Sequence, residues 1–155
     1  MIRTFVPGDL EVLKEITAIC FDGVSIDQSI EGHLGLLGGH DWRWRKIRDI
    51  DDDVAGERAR SVFVYEVEGV VVGYITTKLD AGSKIGWIHN LAVLPAHQAH
   101  GIGRRLIETA LDHFRDNGME CAKIETLEQN PVGTRLYPTF GFREVARQIH
   151  YAMSL

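Results

Sequence analysis

A mixed α/β domain, with a twisted, mostly antiparallel sheet covered by helices on both faces, is the fold class this sequence predicts. Three observations carry that reading. Apolar residues recur at helical spacing over residues 10–21 and 102–117, and at strand spacing between them. SVFVYE (residues 61–66) and VVVGYITTK (70–78) flank Glu68-Gly69, a strong hairpin signal that demands antiparallel neighbours. Further on, the strand–helix–strand order over Ile85–Leu127 demands a crossover, which should be right-handed. A chain of 155 residues suffices for one domain with a real core, and nothing in it reads as a linker, so residues 1–155 are taken as a single domain.

Taken in order, Met1 to Val6 reads as a short edge strand stopped by Pro7-Gly8. Asp9 can cap a helix over Leu10 to Phe21, whose Leu10, Leu13, Ile16, Thr17 and Cys20 share one face. Glycines at 32, 35, 38 and 39 weaken the next stretch, yet a helix fits on each side of Gly38-Gly39, the second carrying Trp42, Trp44, Ile47 and Ile50. The hairpin follows, and after Asp80-Ala81-Gly82-Ser83 another strand runs from Ile85 to Val93. Ile102 to Asn117 is the best helix of the chain: Leu106, Ile107, Ala110, Leu111 and Phe114 line one face, and Asn117-Gly118 ends it. Cys121 to Leu127 reads as a strand, Asn130-Pro131 as a capped helix start, and Phe142 to Leu155 as one or two final strands.

The totals exclude several functions. Net charge is −5, which argues against a nucleic-acid partner, since such binding needs a basic face. The excess acid lies in residues 1–60, with twelve Asp/Glu against eight Lys/Arg, including the run Asp51-Asp52-Asp53. That run is either a solvated face or an acidic rim that draws a cationic substrate. Cys20 and Cys121 are too few for a disulfide framework and, among apolar neighbours, read as buried free thiols. No stretch approaches a membrane span, and the opening residues lack the apolar core of a signal peptide. The expectation is a cytoplasmic protein without a membrane partner.

HQAHGIGRR (97–105) poses the functional question. Gly101 and Gly103 sit where a strand gives way to the long helix, and both weaken a helix start. A helix begun there aims free N–H groups and the positive end of its dipole in one direction, and glycine lets a phosphate approach the backbone closely. Arg104 and Arg105 disfavour the isolated helix but suit a polyanion. The stretch is neither a nucleoside-triphosphate loop nor a good dinucleotide fingerprint. Gln98-Ala99-His100-Gly101-Ile102-Gly103 resembles the Gln/Arg-x-x-Gly-x-Gly/Ala signature of the GNAT N-acetyltransferase superfamily. Asn90-Leu91-Ala92-Val93-Leu94-Pro95 resembles that family's fourth strand, and Asn130 with Leu136-Tyr137-Pro138-Thr139-Phe140-Gly141-Phe142 its Asn…Leu-Tyr-x-x-x-Gly-Phe segment. The likeness is strong over residues 61–142 and implies a single-domain GNAT-like fold.

The resemblance implies acetyl-coenzyme A as the acyl donor; no cysteine–histidine spacing resembles a zinc site and no carboxylate cluster suggests a metal enzyme, so no metal is expected. It implies that the fourth strand splays from the fifth, that Leu91, Ala92 and Val93 pair with the pantetheine arm, and that Gln98, His100, Gly101, Ile102, Gly103 and Arg104 surround the pyrophosphate. It further implies Tyr137 as general acid to the departing thiolate and Asn130, also an N-cap by its own chemistry, as a pantetheine contact. Two groups compete as base for the amine, and Glu125 is taken ahead of His89. Glu125 matches a glutamate in one branch of the family, although the arginine that follows it there is absent here. His89 is chemically suited to proton transfer near neutral pH, and strict alternation puts it on one face with Leu91 and Val93. Phe21, Trp42, Trp44, Trp87 and Tyr151 are candidate walls of an acceptor pocket. The expected activity is therefore N-acetyl transfer to a primary amine of a small molecule or peptide, by direct attack in a ternary complex. A non-catalytic acyl-coenzyme A sensor is the alternative. Many members of the family are dimers, so a homodimer belongs among the expected partners.

Overall fold

The computed structural model describes residues 1–155. Its sheet is built in sequence order: β1 (Ile2–Thr4), β2 (Val62–Val67), β3 (Val70–Asp80), β4 (Ile85–Val93) and β5 (Cys121–Ile124). The first three junctions are antiparallel, and β4 and β5 run parallel. The β2–β3 hairpin turns on Glu68 and Gly69, both at positive φ (51° and 80°), the conformation that matches the twist of the strands it joins.

Helices α1 (Leu10–Cys20), α2 (Ile26–Leu34) and α3 (Trp42–Asp53) precede the hairpin; α4 (Ile102–Asp116) and α5 (Pro131–Leu136) come later. The sheet divides two cores. On one face Leu13 and Ile16 of α1 and Ile50 of α3 pack against Val62, Val64, Tyr74 and Ala92. On the other, Ile102, Leu106, Ile107, Ala110 and Phe114 of α4 pack against Val72, Ile75 and Ile88. Helices α1 and α4 thus bury the stripe their spacing dictates, whereas α2 buries no residue fully and α3 leaves Trp44 exposed. No helix is long and apolar enough to cross a membrane.

Several local expectations need correction. Asp9 does not cap α1 with its side chain; its carboxylate instead takes a bidentate pair of hydrogen bonds from Arg3 and one from the Val6 N–H. Cys20 is half-buried and donates to the Val93 carbonyl, whereas Cys121 is exposed on the outermost strand. That strand stops at Ile124 rather than Leu127. No strand forms after Phe142: Gly141, at φ 96°, turns the chain off, and residues 143–155 make no backbone hydrogen bond to the rest. Only the pair of Arg147 with Glu128 ties them to the rest; its pair with Glu144 lies within the segment. Alternation states which side chains a strand would bury. It does not supply the neighbouring edge whose N–H and C=O groups make a strand.

Candidate active site

The turn between β4 and α4 is built from unusual backbone. Ala99 (φ 63°) and Gly101 (φ 76°) are both left-handed, and Gly101 is the N-cap of α4. The first internal bond of the helix runs from the Arg105 N–H to the Gly101 carbonyl. The N–H groups of Ala99 through Arg104 donate to no backbone or side-chain acceptor in the chain, and open space lies where a Cβ on Gly101 would be. This is a row of donors backed by a helix dipole, with the approach to it kept clear by glycine. Gln98 lies apart from the row: its Nε2 donates to the Val93 carbonyl at 2.8 Å and braces the turn. His100 is exposed, and Arg104 reaches Thr139 Oγ1 at 3.0 Å.

The unpaired half of β4 leads into this turn. β5 pairs with Ile85 through Ile88 only, so the side of His89–Val93 that faces β5 has no strand beside it. The fifth strand therefore ends short of Leu91, Ala92 and Val93, and of these the Val93 carbonyl already accepts from Cys20 Sγ and Gln98 Nε2.

Where the pairing stops, β4 also carries an irregularity. Thr76 pairs with Asn90 and Thr77 with Ile88, which leaves His89 as the extra residue. Leu91 and Val93 pack with the α4 core, but His89 and Asn90 both reach Asp53 at the end of α3. Strict alternation had placed His89 with Leu91 and Val93; the bulge overturns that by sending two successive side chains to one face. His89 Nδ1 lies 2.6 Å from Asp53 Oδ1, and the carboxylate is buried (1% exposed). Burial alone would push the Asp53 carboxyl up, but hydrogen bonds from His89, Thr76 and Asn90 outweigh it and hold the group below the usual carboxylate range. Asp51 and Asp52 are the solvated residues of the acidic run, and Asp53 is not. Sequence reading missed it as a functional residue; its one available signal was the position of Asp53 beside Ile50, on the side of α3 that faces the core.

The rival base lies close by. Glu125, just past β5, accepts from Trp87 Nε1 at 2.8 Å and pairs with Lys123 at 3.0 Å. Trp87 meets His89 edge-on, ring centroids 4.8 Å apart, so the two candidate bases flank one indole. Lys78 and Lys123 both stand over that indole.

Tyr137 follows α5 and packs edge-on to Phe142. Burial pushes its phenol up to about 12, so it stays protonated across the neutral range. The hydroxyl has no partner within the chain and yet is not sealed off. Asn130 caps α5, accepting from the Gly133 N–H at 3.2 Å, and its Nδ2 makes no hydrogen bond within the chain. Of the pocket walls expected, Trp42 is a core residue (3% exposed) and Tyr151 lies in the unpaired tail. Trp44 stacks on His40 at the surface, and Phe21 lies under the Lys46 ammonium.

A helix start with a row of unpaired N–H groups, a fourth strand left without a partner over half its length and a tyrosine beyond it suggest a class, and comparison with known proteins gives one. Residues 29–142 match the model of the Acetyltransferase (GNAT) family, and the chain belongs to that family. It is 32% identical over 126 residues to the L-methionine sulfoximine/L-methionine sulfone acetyltransferase of Salmonella typhimurium, covering 76% of this chain and 73% of that one. To the mycothiol acetyltransferase of Thermomonospora curvata it is 32% identical over 90 residues, 58% of this chain but only 30% of the relative. A GNAT-family acetyltransferase from Brucella melitensis, solved with acetyl-CoA, superposes with a TM-score of 0.65 at 25% identity, covering 93% of this chain and 82% of the other. The chain accordingly has the mixed, mostly antiparallel architecture of that family, and it spans less than half the length of the mycothiol acetyltransferases it matches.

Proposed function

We propose that this enzyme acetylates a primary amine by direct attack on acetyl-coenzyme A bound along β4 and the start of α4. The observation that carries the reading is the unpaired N–H row of Ala99–Arg104, continuous with the half of β4 that lacks a neighbour. Diphosphate oxygens suit the former; the amide groups of a pantetheine arm suit the latter. The free Asn130 Nδ2 is a third donor toward that arm. The donor molecule supplies the activated acyl group, and the chain's own groups manage position and protons.

An acceptor arrives mostly as an ammonium ion and must lose a proton before it can attack. His89 is favoured over Glu125 for that task. Its Nε2 has no partner in the chain and is not sealed off, whereas both Glu125 oxygens are engaged, by Trp87 and by Lys123. As the amine nitrogen bonds to the acyl carbon and the C–S bond breaks, the Tyr137 hydroxyl donates toward the leaving sulfur. Burial keeps the phenol protonated, so it meets the leaving sulfur as a hydrogen-bond donor, and any proton it passes on is restored from solvent. A small amine bearing an amino-acid-like skeleton is supported by the Salmonella relative, an L-methionine sulfoximine/L-methionine sulfone acetyltransferase.

The test is thiol release from acetyl-coenzyme A with a panel of amines, amino-acid analogues included. Tyr137→Phe is expected to lower turnover by about 10–100-fold while leaving coenzyme binding unchanged. Tight binding without thiol release from any amine would favour the sensor alternative, and absence of binding would remove the cradle itself.

A further inference from the structure

We infer that Asp53 is a positioning residue which locks His89 in the single tautomer able to accept a proton; this rests on the reading of His89 as base. The argument is an accounting of two oxygens. Asp53 Oδ2 accepts from Thr76 Oγ1 at 2.6 Å and from Asn90 Nδ2 at 2.8 Å, both neutral donors fixed in the sheet. Asp53 Oδ1 is left for His89 Nδ1, at 2.6 Å, with the Lys78 ammonium at 3.4 Å. A carboxylate so supplied with donors is ionised and has no proton to give. The hydrogen between Oδ1 and Nδ1 therefore belongs to the ring.

It follows that neutral His89 carries its proton on Nδ1 and its lone pair on Nε2. That lone pair meets no group of the chain, and Nε2 is the atom that can take a proton from an amine. When it does, the imidazolium is paired with a carboxylate already in place, and nothing else need move. The surroundings guard this state. Lys46 donates to Asn90 Oδ1 at 2.9 Å and so turns the Asn90 amide nitrogen toward Asp53; Lys46 is itself paired with Asp49. Thr76 accepts from the Asn90 N–H at 3.0 Å, which directs its own hydroxyl hydrogen to the carboxylate. Glu125, Lys123 and Lys78 meet the Trp87 side of the ring, and only Lys78 also touches Asp53. The bulge is what makes the arrangement available, since it brings His89 and Asn90 to the same carboxylate.

The experiment reads the tautomer directly. Nitrogen-15 NMR of the histidine side chains, with His89 assigned through His89→Gln, is expected to show a protonated Nδ1 and an unprotonated Nε2 in the neutral ring. The opposite pattern would overturn the inference with no appeal to activity. Asp53→Asn can turn its own amide N–H toward Nδ1 and should switch the ring to the Nε2-protonated form. Turnover should then fall about 100-fold or more with the KM for acetyl-coenzyme A unchanged. Asp53→Glu, which restores the charge, should recover part of it. If Asp53→Asn fails to fold, the wild-type spectrum still decides. Wild-type turnover in Asp53→Asn beside a large loss in His89→Gln would remove Asp53 and keep the base. Full turnover in His89→Gln would remove the base itself, whatever the tautomer.

Discussion

At the scale of single residues, Gly101 and Asp53 mark the two ends of what the sequence discloses. Gly101 is legible because its constraint is local: a left-handed φ of 76° at a helix N-cap is a position glycine fills without strain. Gly101→Val would place a branched side chain in the open space before the N–H row and in a conformation costing about 1–2 kcal/mol. Coenzyme A should then bind at least ~10-fold more weakly by calorimetry, which is about 1.4 kcal/mol. An unchanged dissociation constant would show that the phosphates lie elsewhere. Asp53 was not legible, because its meaning is set by a partner 36 residues away and by a bulge. Alternation counts residues, and an inserted residue defeats the count. The same cause put His89 on the wrong face.

Among the elements, α4 shows how packing and function share one segment. Its apolar stripe was plain in the sequence, and Phe114 lies so close over Gly86 of β4 that a Cβ there would run into the ring. That fit draws helix and strand together near the far end of β4 from the cradle, and thereby fixes where the helix begins. The polar side of the contact titrates. His113 of α4 meets Ser61 Oγ through Nε2 at 3.0 Å, and burial pushes the imidazole below its ordinary 6.5, against a smaller opposing pull from Asp116. Since the folded value is the lower one, the unfolded chain binds the proton more readily between the two values. Stability from this group is therefore complete above about 6.5 and is lost as pH falls toward the folded value. Thermal melts at neutral and mildly acidic pH should show a smaller acid-induced drop for His113→Gln than for the wild type. Equal drops would mean that His113 charges without cost. The loss of β4–β5 pairing past Ile88 is the element-scale feature that spacing could not reveal, because it depends on where β5 ends.

Over the whole molecule, the order of elements along the chain, the helices on both faces of the sheet and the crossover were readable from period and turn chemistry, which are short-range properties. The fate of the last residues was not, since it depends on which edge they meet. The sheet ends at β5, whose outer side has no neighbour. In the tail that follows, Val145, Ile149, Tyr151, Met153 and Leu155 are all exposed, while Glu144, Gln148, His150 and Ser154 alternate with them. An open edge and an amphipathic segment with unused backbone groups, carried by one molecule, are complementary. A homodimer in which each copy lays its tail along the β5 edge of the other would satisfy both at once, and its existence is a prediction. Sedimentation of the full chain should show mass rising from monomer to dimer with concentration. Ile149→Asp combined with Tyr151→Asp should hold it at monomer, with the melting temperature of the dilute protein little changed because neither side chain is packed. A wild-type chain that stays monomeric at high concentration would mean that the tail folds onto its own edge, and amide exchange would then find residues 145–155 protected in the monomer.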